Sequence, residues 1–303
     1  MPREDVSFKT ADQTTLRGWL YKPSKPVSGA LPALVMAHGF SAVKEMILPR
    51  FAEHFSTHLP IACLVYDHRG FGDSDNQPTQ PRQEIIPAQQ ISDYSDAITY
   101  LQTRSDINAD RIGVWGSSYS GGHVLCVGAI DRRVKAVVSQ VPMVDGWENF
   151  HRLVRPDFVP LVDDVIQKDR LGVAAGEAPQ RLPVVDENPL AQSALPSAES
   201  YQFFTTHGRG TKWENSVTVK SMEALRGYIP AAYIKHISPT PLLMVVPEND
   251  QLTPTDLALK AYAEAIEPKS LHILPGGHFD VYTGSQSQPA LEAETNFLRR
   301  RLC

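Results

Sequence analysis

The chain has 303 residues, 42% hydrophobic and 21% charged, a balance that fits a globular protein able to bury a large core. Its formal net charge of −5 argues against a general binder of nucleic acid or of an anionic membrane surface, which would need a basic field. Three cysteines without pairing or metal-ligand spacing, a charged N-terminus and no apolar run near the roughly 18 residues of a membrane span predict a cytoplasmic protein with free thiols.

Residues 5–22 alternate, with Val6 and Phe8 before the polar Ala11-Asp12-Gln13 turn and Leu16 and Leu20 after it, and so predict a β-hairpin. Leu31 to Ala37 is a continuous apolar run, as a strand buried on both faces requires, and it ends in His38-Gly39-Phe40-Ser41. Val43 to Leu59 has helical spacing, with Met46, Phe51 and Phe55 on one side. Ile61 to Tyr66 predicts another buried strand, followed by the glycine-punctuated turn Asp67-His68-Arg69-Gly70-Phe71-Gly72-Asp73-Ser74 and an amphipathic helix from Ala88 to Arg104. Arg111 to Trp115 is the next strand; it runs into a sharp turn and a helix from Gly121 to Ile130, then a strand from Val134 to Val141.

At Pro142-Met143-Val144-Asp145 the alternation stops, and the chain to His236 is rich in proline and aromatic residues, with short helical patterns and no buried strand. Trp147, Phe150, Phe158, Phe203, Phe204 and Trp213 need somewhere to pack, so this stretch reads as an inserted helical cap rather than a linker. Strand–helix alternation resumes at Pro241–Val246, Thr255–Ile266, Ser270–Leu274 and Pro289–Arg301. The expected architecture is α/β, with a mostly parallel eight-stranded sheet and helices on both faces. The expected division is core 1–144, cap 145–236 and core 237–303.

Gly116-Ser117-Ser118-Tyr119-Ser120-Gly121-Gly122 has the form of a nucleophile elbow, a strained strand-to-helix turn with small flanking residues that exposes a serine hydroxyl. Two registers fit. Ser118 has Gly116 and Ser120 as flanks, whereas Ser120 has Ser118 and Gly122; the apolar run stops at Trp115, which favours Ser118. A serine needs a base and a third group to hold that base. Asp250 follows the strand at Leu242–Val246, and His278 follows the one at Leu271–Leu274, in the order acid then histidine. Asp145 is a rival acid, and Asp250 could instead cap the helix beyond Thr253-Pro254. His38 and His123 read as structural. Arg152, Arg155 and Arg209 read as solvated charge, with binding of an anionic substrate tail as the alternative. No residue set has metal-ligand geometry, and Gly70-Phe71-Gly72 fits neither a nucleotide fingerprint nor a P-loop, so no cofactor or metal is expected.

Taken in order, His38-Gly39-Phe40, the Asp67–Ser74 turn, the Gly116–Gly122 elbow and the Asp250/His278 pair resemble the motifs of α/β-hydrolases over nearly the whole chain outside the cap. Within that fold the chain is similar to dienelactone-hydrolase-like and X-Pro-dipeptidyl-peptidase-like hydrolases. Trp213-Glu214-Asn215-Ser216-Val217-Thr218 and Pro239-Thr240-Pro241-Leu242-Leu243-Met244 also resemble fungal polyketide transferases and thiohydrolases. The resemblance implies an oxyanion hole from the Phe40 and Tyr119 amides. It also implies an acyl-enzyme on Ser118, and an ester or thioester substrate borne by a small molecule or a carrier protein. Dienelactone hydrolases use a cysteine nucleophile; none occupies this elbow, so that activity does not carry over. The rival readings are a non-catalytic ligand-binding protein on a hydrolase scaffold and a proline-specific peptidase.

Overall fold

A computed structural model describes residues 3–25 and 27–303. Strands β1 (Arg3–Lys9) and β2 (Thr15–Tyr21) form an antiparallel hairpin. Then follow β3 (Leu31–Ala37), α1 (Leu48–His58), β4 (Ala62–Tyr66), α2 (Pro87–Gln102), β5 (Ile107–Ser117), α3 (Tyr119–Ile130) and β6 (Val134–Gln140). The next stretch holds α4 (Gly146–Leu153), α5 (Val159–Ala174), β7 (Arg181–Leu182), α6 (Ala198–His207), β8 (Val217–Thr218), α7 (Val219–Arg226) and a 3₁₀ helix, Pro230–His236. The chain ends with β9 (Leu242–Pro247), α8 (Thr255–Glu264), β10 (Lys269–Leu274) and α9 (Ser287–Arg301). Among the described residues no helix is long and apolar enough to cross a membrane.

Eight strands form one sheet in the order β1-β2-β4-β3-β5-β6-β9-β10, parallel from β4 to β10 and antiparallel at the hairpin edge. The unbroken apolar run of β3 has a direct explanation. Ala33, Val35 and Ala37 face a core shared with α2, α3 and α8, while Leu34 and Met36 face one shared with α1 and α9. A strand covered on both faces has no solvent side to mark with polar residues. From β3 the chain crosses on one face to β4, then returns on the other face to β5, on β3's far side. The strand order therefore reverses between β3 and β5, and a crevice opens beyond their carboxyl ends, where open α/β sheets bind ligands.

Helix α1 starts at Leu48, five residues later than its apolar spacing predicts. Residues 41–47 form a loop instead, because Lys44 is drawn inward. Its amide and its ammonium both bond the buried Asp67 carboxylate, each at 2.7 Å, and Pro49 suits the first turn of the helix that follows. The stretch between β6 and β9 carries a feature the sequence does not announce. β7 and β8 pair as a two-residue antiparallel ladder, and Val217 and Thr218 of β8 are buried. The 3₁₀ helix packs back on α3 and α8, with Ile234 in the main core.

Candidate active site

Ser118 sits where β5 turns into α3, at φ 59° and ψ −116°. Such a backbone costs a non-glycine residue about 1–3 kcal/mol and persists only where surroundings over-determine it. Here its N–H donates to the Gln140 carbonyl at 2.9 Å, and its own carbonyl accepts from Met143 at 3.0 Å and Gly122 at 3.2 Å. Two glycines around this turn are steric necessities. A Cβ on Gly116 would stand 2.0 Å from the Ser120 carbonyl oxygen, and one on Gly39 would stand 2.8 Å from the Ser118 Cβ. Ser120 takes no part in the rival register: it is fully buried, and its hydroxyl is held at 2.9 Å by His68 Nε2 while it donates to the His38 carbonyl.

The loops after β9 and β10 bring two distant side chains to this turn. His278 Nε2 lies 3.1 Å from Ser118 Oγ, and its Nδ1 lies 2.8 Å from Asp250 Oδ2. Asp250 is held in turn by the Leu252 and Thr253 amides, at 2.9 and 2.8 Å from Oδ1, which fix the plane of the carboxylate. Thr253 adds a contact that sequence reasoning did not assign. Its hydroxyl lies 2.9 Å from Asp250 Oδ2, 3.1 Å from His278 Nδ1 and 3.0 Å from the Val141 carbonyl. Asp145 is elsewhere, capping α4 by accepting from the Glu148 amide at 3.0 Å.

Phe40 and Tyr119 flank the Ser118 hydroxyl on the two adjoining turns, their rings edge to face at 5.5 Å. Neither amide is spent on a carbonyl or side chain among the described residues. Beneath them lie three buried histidines. His38 donates from Nδ1 to the Gly39 carbonyl at 2.9 Å, and His123 is bridged between Tyr228 and Gln90 at 2.8 and 2.9 Å. Burial disfavours their charged forms: the His38 and His68 rings are held below the usual imidazole range, and His123 is pushed down to about 3. Behind the elbow, Ser117 Oγ sits 2.5 Å from the Tyr282 hydroxyl and accepts from Gln140 at 2.8 Å, a second feature with no local sequence signal.

A cavity of about 60 Å³ opens over Ser118, walled by Phe40, Met46, Leu153, Phe203, Leu225 and Phe279. Of the arginines considered for an anionic substrate, Arg152 is engaged bidentately by Asp256 and Arg155 by Asp157. The fold agrees with a direct comparison: the α/β hydrolase fold family matches residues 32–285. The chain belongs to the α/β-hydrolase family. This α/β-hydrolase is 34% identical over 304 residues to a thiohydrolase of Eupenicillium brefeldianum, covering 98% of the chain and 94% of that relative. It is also 34% identical over 310 residues to the polyketide transferase GrgF of a Penicillium species, covering 100% of the chain and 98% of the relative. The crystal structure of GrgF, itself described as an α/β hydrolase, matches with a TM-score of 0.85 at 33% identity, over 100% of this chain and 99% of that one. With such relatives, this α/β-hydrolase is an enzyme of the hydrolase and acyltransferase kind.

Proposed function

We propose that this chain is a serine-dependent hydrolase or acyltransferase of acyl thioesters and carboxylic esters, with Ser118 as nucleophile, His278 as base and then acid, and Asp250 as the group that holds His278. One observation carries the reading: the unbroken chain of contacts from Ser118 Oγ to His278 Nε2 at 3.1 Å and from His278 Nδ1 to Asp250 Oδ2 at 2.8 Å. The Asp250 contact keeps the proton on Nδ1, so Nε2 presents its lone pair to the serine. As Oγ bonds the acyl carbon, the hydroxyl proton passes to Nε2, and the oxyanion forms beside the Phe40 and Tyr119 amides. Losing one donor of this kind costs about 3–4 kcal/mol of transition-state stabilisation. Breakage of the C–S or C–O bond sends the Nε2 proton to the departing thiol or alcohol. Water or an acceptor alcohol then attacks the acyl-enzyme, gives its proton to Nε2, and the collapse returns that proton to Ser118.

The preference for thioesters rests on the relatives named as a thiohydrolase and a polyketide transferase. In this reading the segment 145–236 acts as a cap whose apolar walls limit water, and so sets the partition between hydrolysis and transfer. The acyl group arrives on a small thiol or on a carrier protein. Free Cys63, Cys126 and Cys303 support a reducing, cytoplasmic setting. The test is a panel of N-acetylcysteamine thioesters and p-nitrophenyl esters, scored by kcat/KM, with a fluorophosphonate probe read by mass spectrometry. Ser118 is expected to carry the label, and Ser118→Ala or His278→Ala to lose on the order of a million-fold in kcat. Ser118→Ala turning over the panel at near wild-type rate would sink the assignment.

A further inference from the structure

The cavity over Ser118 is much smaller than a second hollow of about 430 Å³ with which it shares one lining side chain, Leu153. Leu153 ends α4, is half-buried, and lines both spaces. The two spaces also share the 189–196 stretch: Leu195 faces the catalytic cavity, while Ser193 and Pro196 on either side of it face the hollow. The hollow's wall is largely aliphatic and aromatic. Three of its lining residues, Phe158, Leu161 and Leu190, are 38%, 56% and 71% exposed. Scattered exposed apolar side chains are ordinary; several around one concave space mark an interaction site, of which a ligand-binding groove is one kind.

We infer that this hollow is a distal subsite for the aliphatic tail of the acyl chain, with the reacting carbonyl at Ser118 and the chain passing Leu153 to reach it. The inference rests on the reading of Ser118 as the acyl acceptor. Continuity decides the occupant, because a ligand held at Ser118 meets Leu153 at the wall of the first cavity, and the next space is lined mainly by apolar side chains, with Arg155, Asp164 and Lys168 among them. A medium- or long-chain acyl group fills both; a short one leaves the hollow in water.

The test separates binding from turnover. In Ser118→Ala protein, calorimetry with fatty acids from hexanoate to dodecanoate is expected to show affinity rising by up to about fourfold per added methylene. Leu161→Asp/Leu190→Asp, both at exposed positions, is expected to cut the dodecanoate-to-hexanoate affinity ratio at least tenfold. Leu153→Trp, which puts a bulkier side chain where the two spaces meet, is expected to do the same. With Ser118 present, kcat/KM for p-nitrophenyl esters of the same lengths is expected to follow the same order. A ratio unchanged by the double substitution overturns the subsite, even where ester turnover is normal. The same holds if that variant only dissociates an oligomer. Length-dependent binding that these variants abolish, in a protein whose Ser118 takes no fluorophosphonate, supports the subsite and sinks the catalytic reading instead.

Discussion

At the scale of single residues, the Thr253 hydroxyl has three oxygen and nitrogen atoms around it and only one proton to give. It sits within 3.1 Å of Asp250 Oδ2, His278 Nδ1 and the Val141 carbonyl, so it props the imidazole from the side opposite the serine. Thr253→Val keeps the shape and removes the polar contacts. The loss of a hydrogen bond of about 1–1.5 kcal/mol predicts a kcat lowered roughly tenfold with KM little changed, and Thr253→Ser is expected to restore most of it. A purely structural role would instead lower the unfolding temperature without splitting kcat from KM. The residues legible in the sequence were those whose position follows from a strand end: Ser118 after β5, Asp250 after β9 and His278 after β10 all lie in the loops expected for them. Thr253 and Tyr282 were not legible, because their partners come from elsewhere in the fold. The Val141 carbonyl is 112 residues from Thr253, and Ser117 is 165 residues from Tyr282. Ser120 is a mixed case. That a serine could stand at a glycine position was readable from its size, whereas the bonds to His38 and His68 that hold it there are tertiary.

At the scale of elements, the loop between β3 and α1 carries Phe40 to the site, and Lys44 anchors it. Lys44 is 1% exposed, with its ammonium 2.7 Å from Asp67, 2.5 Å from Asp73 and over the Trp19 ring at 4.7 Å. Lys44→Met strands the buried Asp67 carboxylate without its cation, and removing one partner of a buried pair costs about 3–5 kcal/mol. Urea unfolding is expected to show that loss. Arg155→Ala, which breaks an exposed pair with Asp157, is expected to cost less than about 1 kcal/mol. Equal losses in the two variants would contradict the anchoring role. The same anchor explains what the sequence misplaced. Helical spacing runs through Met46, but the tie of Lys44 to Asp67 on the next strand's loop holds the chain out of a helix until Leu48. β3, β4 and β9 were legible because burial on two faces leaves an unbroken apolar run of matching length. β7 and β8 were not, since two residues are too few to show a period of two.

At the scale of the whole molecule, buried ionisable groups pull stability in opposite directions along the pH axis. His38, His68 and His123 are buried neutral, with folded pKa values held down by desolvation, His123 to about 3. In the unfolded chain they take up protons near pH 6.5. Below that pH the unfolded state binds more protons than the folded one, so stability is fully present above about 6.5 and falls as the medium is acidified. The slope approaches about 4 kcal/mol per pH unit if all three stay neutral. Glu294 on α9 acts in the opposite sense. It is fully buried beside Trp115, and burial pushes its carboxyl up to about 8 from its ordinary value of 4.5. Between those two values the folded state holds the extra proton, so this contribution is complete at low pH and is lost as pH rises through about 8, at about 1.4 kcal/mol per pH unit. Below 6.5 three histidines outweigh one glutamate; above it the glutamate acts without that opposition. The free energy of urea unfolding is therefore expected to peak near pH 6.5 and to decline toward pH 8. Glu294→Gln is expected to flatten the alkaline decline and leave the acid limb in place. An alkaline limb that persists in Glu294→Gln would assign the proton to another group.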